Sequence, residues 1–211
     1  MVRLYDFPLS GNCYKVRLAL HQLDVPYERV EVDLLASEGR PPALLRHDPT
    51  GRLPLVRLDD GRWLAESNAI LWHLAEASAL LPEDRAERFE VLRWLMIEQN
   101  AIEPNIGTAR FWHGIAKSGE PHAGALPLRQ RAGREALEVL ERLLAGRPFI
   151  AGRSYSVADI ATFAYAHCAH EGGIDASGLP AFGAWLARVR GTPRFVPLEF
   201  PGPDPIEDPE F

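Results

Sequence analysis

The chain has 211 residues, 46% hydrophobic and 25% charged, an ordinary soluble composition with room for one large domain or two small ones. Its 23 basic and 29 acidic side chains give a net charge of −6 without a basic cluster, which excludes the electrostatic footprint of a nucleic-acid binder. It contains no apolar run of roughly 18 residues for a membrane span and no signal core at its start, and its two cysteines, Cys13 and Cys168, suit a reducing cytoplasm.

Val2 to Asp6 reads as a first strand, entering a turn at Phe7-Pro8-Leu9-Ser10-Gly11. From about Asn12 to Leu23, Val16, Ala19, Leu20 and Leu23 recur at helical spacing. Tyr27 to Val32 alternates in the strand manner, and Pro41-Pro42-Ala43-Leu44-Leu45 opens a short helix, proline being tolerated in a first turn. Leu53 to Leu58 and Arg62 to Ala65 flank Asp59-Asp60-Gly61 as a hairpin. Glu66-Ser67-Asn68 then starts a helix bearing Ile70, Leu71, Leu74 and Ala75. The order β-α-β-α-β-β-α fits a mixed sheet, parallel in its first half and antiparallel at the hairpin, with helices on both faces.

After the linker Leu80-Leu81-Pro82-Glu83-Asp84, long helical patterns take over. One runs to about Ile115, interrupted where Pro104 should kink it. A polar loop follows from Lys117 to Gly124, then helices at Pro127–Leu144, Val157–His170 and Pro180–Val189. We therefore expect an α/β domain over residues 1–79, an all-α domain over 85–200, and a tail over 201–211. The tail belongs to a stretch, Pro197 to Phe211, with five prolines, five acids and no cation, a composition that taken alone reads as disordered.

Three features of the first domain converge. Ser10 lies on the turn between the first strand and the first helix, where parallel α/β sheets bind ligands and a helix N-terminus favours an anion. Its hydroxyl could donate to a thiolate and lower a bound thiol's pKa, or simply cap the helix. Ser10-Gly11-Asn12-Cys13 has the spacing of a thioredoxin-type Cys-x-x-Cys motif with its exposed nucleophile replaced, which leaves Cys13 as a small apolar filler. Leu53-Pro54 opens a strand, and a cis bond there would turn the Leu53 main chain toward a peptide-like ligand. At the start of the third helix, Ser67 and Glu66 read either as cap and dipole partner or as a grip on the carboxylate and ammonium of an α-amino acid head group.

In the helical part, Ser156-Val157-Ala158-Asp159 is a capping box, so Asp159 reads as structural. The histidines, including His167 and His170, lack metal-ligand spacing, so no metal is expected. Aromatic residues beyond Pro104, with Phe111 and Trp112 among them, could line an apolar pocket where two domains meet.

With these residues in place the chain resembles the cytosolic glutathione S-transferases over nearly its whole length. The resemblance rests on Ser10-Gly11-Asn12-Cys13-Tyr14-Lys15-Val16-Arg17, Asp48-Pro49-Thr50-Gly51-Arg52-Leu53-Pro54-Leu55-Val56, Glu66-Ser67-Asn68-Ala69-Ile70 and Gly152-Arg153-Ser154-Tyr155-Ser156-Val157-Ala158-Asp159-Ile160. It implies a thioredoxin-like N-terminal domain and a helical C-terminal domain. It further implies glutathione as co-substrate, a small hydrophobic electrophile as acceptor, and a homodimer. Ser10 matches the thiol-activating serine of the theta, delta and zeta classes, with Tyr5 ranked second. Pro54 matches the family's cis-proline, and Leu53 the residue whose main chain pairs with the cysteinyl part of glutathione. Glu66 and Ser67 match the γ-glutamyl site, Arg52 the glycyl carboxylate site, and Phe7, Phe111 and Trp112 are assigned to the acceptor pocket. Ser10-Gly11-Asn12 departs from the zeta Ser-Ser-Cys pattern, which weakens a maleylacetoacetate-type isomerase reading. A glutathione-dependent reductase or peroxidase and a non-catalytic interaction module are the alternatives.

Overall fold

A computed structural model describes residues 1–35, 41–116, 122, 124–209 and 211. Of the loop expected over 117–124, all but residues 122 and 124 lie outside the described residues. The chain forms two compact units, Met1–Glu76 with Pro193–Phe211, and Ala77–Thr192.

The first unit is built on a four-stranded sheet of order β2-β1-β3-β4, comprising β1 (Val2–Asp6), β2 (Tyr27–Glu31), β3 (Leu55–Arg57) and β4 (Trp63–Ala65). β1 pairs parallel with β2, Leu4 opposite Arg29, and antiparallel with β3, Leu4 opposite Val56. β3 and β4 form the expected hairpin, closed by Leu58 N–H donating to Arg62 O at 2.8 Å. Gly61, at φ 86°, supplies the left-handed residue that this turn requires.

Alternation along β1 divides the core between the sheet's two faces. Leu4 packs with Val16 and Leu20 of α1 (Gly11–Gln22) and Ile70 of α3 (Ser67–Ala75). Tyr5 faces the other way, packing with Leu44 of α2 (Pro42–His47), Val30, Leu53 and Leu55, and with Ile206 and Phe211 from the C-terminus.

The C-terminal segment is thus ordered against the first unit, contrary to its composition. It runs parallel to the edge strand β2, bridging at Arg29–Pro205, with Ile206 N–H donating to Arg29 O at 2.8 Å. Covering an edge with a proline-rich segment also blocks further strand addition, since proline offers no donor. Composition misleads here because the segment's order comes from the sheet it lies on.

The second unit is built of helices, with an isolated β-bridge at Phe149–Gly152. α4 (Arg85–Ile97) starts at Asp84, whose carboxylate caps Ala86 and Glu87 N–H at 2.9 and 3.0 Å. The interruption expected at Pro104 takes the form of wide π-type turns over Glu98–Gly107, followed by α5 (Thr108–Arg110) and a second wide segment, Phe111–Ile115. Wide turns accommodate a residue that cannot donate its N–H in the α-helical pattern. α6 (Leu126–Leu144), α7 (Val157–Ala166) and α8 (Pro180–Arg190) complete the unit. α7 ends four residues short of the expected His170, and a separate 3₁₀ turn covers Ala169–Gly172.

The capping box at α7 is formed and does more than cap. The fully buried Asp159 carboxylate accepts from Ser156 N–H (3.0 Å), Ile150 N–H (2.8 Å) and Trp185 Nε1–H (2.9 Å), joining three segments of the unit. Burial nevertheless pushes its pKa up to about 6, against the opposing effect of these donors.

Candidate active site

The β1–α1 turn is held from behind by a buried charge pair. The Arg17 guanidinium donates to Asp6 Oδ2 (3.1 Å) and Pro8 O (2.9 Å), and both side chains are fully buried. Tethering Pro8 through its carbonyl fixes the turn that carries Ser10 two residues on. Ser10 is the N-cap of α1, its extended backbone at φ −77° and ψ 123° and its Oγ accepting Cys13 N–H at 3.2 Å. A hydroxyl has one proton and two lone pairs, so capping consumes a lone pair and leaves Ser10 able to donate. The capping and thiol-binding readings of Ser10 are therefore compatible.

Neither cysteine is arranged as a nucleophile. Cys13 is buried and accepts Phe7 N–H at 3.4 Å; burial, followed by the Asp6 charge, pushes its thiol up to about 12. Cys168 is also buried, its thiol directed at Tyr165 O at 3.3 Å. Tyr5, ranked second to Ser10, is fully buried, donates to Asp208 Oδ2 at 2.6 Å and is pushed up to about 12, principally by burial. That geometry removes it from any role in binding a thiol.

At the start of α3 the structure departs from the expected cap. Glu66, not Ser67, occupies the cap position; it is exposed, has a left-handed φ of 67°, and makes no side-chain cap bond. Ser67 is the first helical residue, and its hydroxyl donates to Asn12 Oδ1 at 3.1 Å. The same oxygen accepts from Lys15 Nζ at 3.4 Å, and Nζ also reaches Asn68 Oδ1 at 3.2 Å. Lys15 is wholly buried within this network, which ties the first turn of α1 to the first turn of α3. An ammonium only donates, so Ser67 must accept from it and spend its proton on Asn12. Backbone strain at Glu66 thus falls where the N-termini of α1 and α3 are joined by side-chain hydrogen bonds.

The Leu53–Pro54 peptide is cis. Asp48, buried at the end of α2, receives Arg52 N–H at 3.4 Å and the Thr50 hydroxyl on one carboxylate oxygen, which shapes the turn leading to Leu53. Arg52 is exposed, whereas Leu53 and Pro54 are buried. Ser10, Arg52, Leu53, Pro54, Glu66 and Ser67 thus all belong to the first unit, on the β1–α1 turn, the approach to β3 and the start of α3.

Phe7 is half-buried against the Tyr5 cluster of the first unit. In the second unit Phe111 is exposed, and Trp112 stacks on His122 with centroids 4.1 Å apart. Among the described residues no group of histidine, cysteine and acid side chains could hold a metal, and no helix is long and apolar enough to cross a membrane.

Lys15, Arg17 and Asp48 stand in the segments that carry the resemblance, but the sequence by itself assigns them no role in this architecture and does not pair Asp6 with Arg17. A lysine in the apolar stretch of α1 was the available signal, but its partners lie far along the chain.

An α/β unit of thioredoxin-like topology, joined to a helical unit and bearing these three segments, defines a two-domain fold class. The description "Glutathione S-transferase, N-terminal domain" matches residues 9–77, and "Glutathione S-transferase, C-terminal domain" matches residues 120–193. The chain is 30% identical over 200 residues to the disulfide-bond oxidoreductase YfcG of Escherichia coli, covering 92% of each. The solved structure of a possible glutathione S-transferase from Rhodopseudomonas palustris is 43% identical, with a TM-score of 0.92 and coverage of 99% of this chain and 94% of that one. A glutathione transferase family member from Pseudomonas fluorescens, solved with two glutathione molecules bound, is 30% identical with a TM-score of 0.76, covering 92% of this chain and 89% of that one. The chain belongs to the glutathione S-transferase family.

Proposed function

We propose that this protein activates the thiol of glutathione and transfers it to a small hydrophobic electrophile. The observation that carries the reading is the Ser10 hydroxyl at the N-terminus of α1, capping with a lone pair and able to donate its proton to a thiolate. Glutathione would lie with its γ-glutamyl carboxylate at the main-chain N–H groups of Ser67 and the first turn of α3, and its ammonium at Glu66. The cysteinyl part would lie along the main chain at Leu53–Pro54, with the glycyl carboxylate near Arg52. The thiol gives up its proton to solvent water, and the Ser10 hydroxyl together with the helix N-terminus lowers the cost of the sulfur's negative charge. The thiolate sulfur then bonds to the electrophilic carbon, and the departing group takes the displaced electron pair. Phe7, Phe111 and Trp112 are assigned to the acceptor side. In this reading no metal takes part, and the enzyme works in the cytoplasm as a homodimer. The exposed apolar residues Phe89, Leu92 and Met96 on α4 support a partner surface.

A second reading, a glutathione-dependent disulfide reductase or peroxidase, is favoured by the oxidoreductase among the relatives. Because Cys13 is buried and pushed up to about 12, the attacking sulfur in that chemistry would be glutathione's own.

Calorimetric titration of glutathione into the wild-type protein and Glu66→Ala tests the site, with conjugation and disulfide-reduction assays alongside. Binding that is lost in the variant, with aryl-halide turnover exceeding disulfide reduction, is the expected result. Absence of binding to a folded wild type would replace the enzyme with an interaction module.

A further inference from the structure

The C-terminal segment is fastened to the first unit at charged, main-chain and aromatic contacts. Asp208 Oδ2 is buried and accepts from both Arg3 Nη1 (2.7 Å) and Tyr5 Oη (2.6 Å), two neighbours on β1. Arg29 Nε donates to Pro203 O at 3.0 Å, and Gly202 takes a left-handed φ of 86° where the segment passes Tyr27. Phe211 N–H donates to Asp208 O at 2.9 Å, turning the last ring back onto Tyr5, with centroids 4.3 Å apart.

That ring extends a stack. Phe211 lies 6.1 Å from Trp63 and 6.0 Å from His47, and these two stack on one another at 3.6 Å. His47 is the last residue of α2, and its buried Nε2 has no hydrogen-bond partner among the described residues. Ring packing therefore does much to hold the end of α2. The next residue, Asp48, shapes the turn that delivers Arg52, Leu53 and Pro54. A line of contacts thus runs from the final residue of the chain to the segment assigned to the glycyl end of glutathione. The head-group end differs, since Ile70 of α3 and Val16 and Leu20 of α1 pack in the cluster on the opposite face of the sheet, while Cys13 of α1 joins the Tyr5 cluster.

We propose that Asp208 and Phe211 are positioning residues for the Arg52 end of the glutathione site, the C-terminal tail acting as a strap that holds α2 and its following turn against the sheet. The proposal rests on the glutathione reading above and adds a direction to it: the strap acts on recognition of the glycyl carboxylate and leaves recognition of the γ-glutamyl group alone.

The test is calorimetric titration of glutathione, and of γ-glutamylcysteine, which lacks the glycine, into wild type, Phe211→Ala and Asp208→Asn. Loss of the ring contacts is expected to weaken glutathione about 2- to 10-fold, leave γ-glutamylcysteine unchanged, and be restored by Phe211→Tyr. Equal weakening of both ligands, or of neither, overturns the strap while wild-type binding upholds the site. A wild type that binds neither ligand overturns the glutathione reading and the strap with it. Thermal unfolding of each variant identifies any that fail to fold, and either variant alone carries the comparison.

Discussion

The Ser10 hydroxyl oxygen lies 3.2 Å from the Cys13 backbone nitrogen and accepts its N–H, so the side chain assigned to the thiolate is also the cap of α1. One atom serving both purposes has a separable consequence. In Ser10→Ala the cap is lost at a cost of about 1 kcal/mol, while removal of the thiolate donor lowers turnover about 100-fold or more. Glutathione affinity stays near wild type, because the peptide is held elsewhere. Steady-state kinetics with calorimetry checks this; unchanged turnover in a correctly folded variant removes Ser10 from the chemistry.

Glu66 offers a trade between stability and binding. Its left-handed backbone, φ 67°, costs a residue with a Cβ about 1–2 kcal/mol that glycine avoids. Glu66→Gly is therefore expected to melt at or above the wild-type temperature while losing most of its glutathione affinity. A variant that binds normally would show that the carboxylate does not meet the ligand ammonium.

Lys15 makes the complementary case of a buried charge retained for position. Removing its ammonium leaves the buried oxygens of Ser67 and Asn68 without this donor, so Lys15→Met should be less stable than wild type by about 1–3 kcal/mol. Without the ammonium, the tie that fixes the first turn of α3 against α1 through Ser67, Asn68 and Asn12 is weakened, and the head-group end is less firmly positioned. The expected reading is a rise in KM for glutathione of about 3- to 10-fold with kcat at saturation retained.

The helical unit carries a pH signature at Asp159. Its pKa is raised in the folded state to about 6, so between about pH 4 and 6 the native protein binds more protons than the unfolded chain at this site. Stability from this group is therefore greatest at the acid end and falls as pH rises, by up to about 3 kcal/mol. Asp159→Asn should abolish that slope. It should also be less stable at every pH, by about 2–4 kcal/mol, because one amide oxygen cannot satisfy the donors of Ile150, Ser156 and Trp185. Denaturant melts of both proteins from pH 4 to pH 7 check the difference.

Much of this architecture was legible in local patterns. The alternation of Tyr27 to Val32, the Asp-Gly turn before Arg62 and the helical spacing of Val16, Leu20 and Leu23 each stand within a few residues of the feature they specify. Periodicity and turn chemistry act over that range, so the element order and the mixed sheet followed, as did the Ser156–Asp159 box. The resemblance of four short segments then named the residues of the candidate site.

Tertiary structure decided which atoms meet. Lys15 and Ser67 are 52 positions apart, and Tyr5 and Asp208 are 203 apart. No local pattern couples residues at such separations, because only the closed sheet brings β1, α3 and the C-terminus together. For the same reason the acidic, proline-rich tail reads as disordered in isolation and is ordered in the fold: its carboxylate and final ring find partners only on a surface that the rest of the first unit must build.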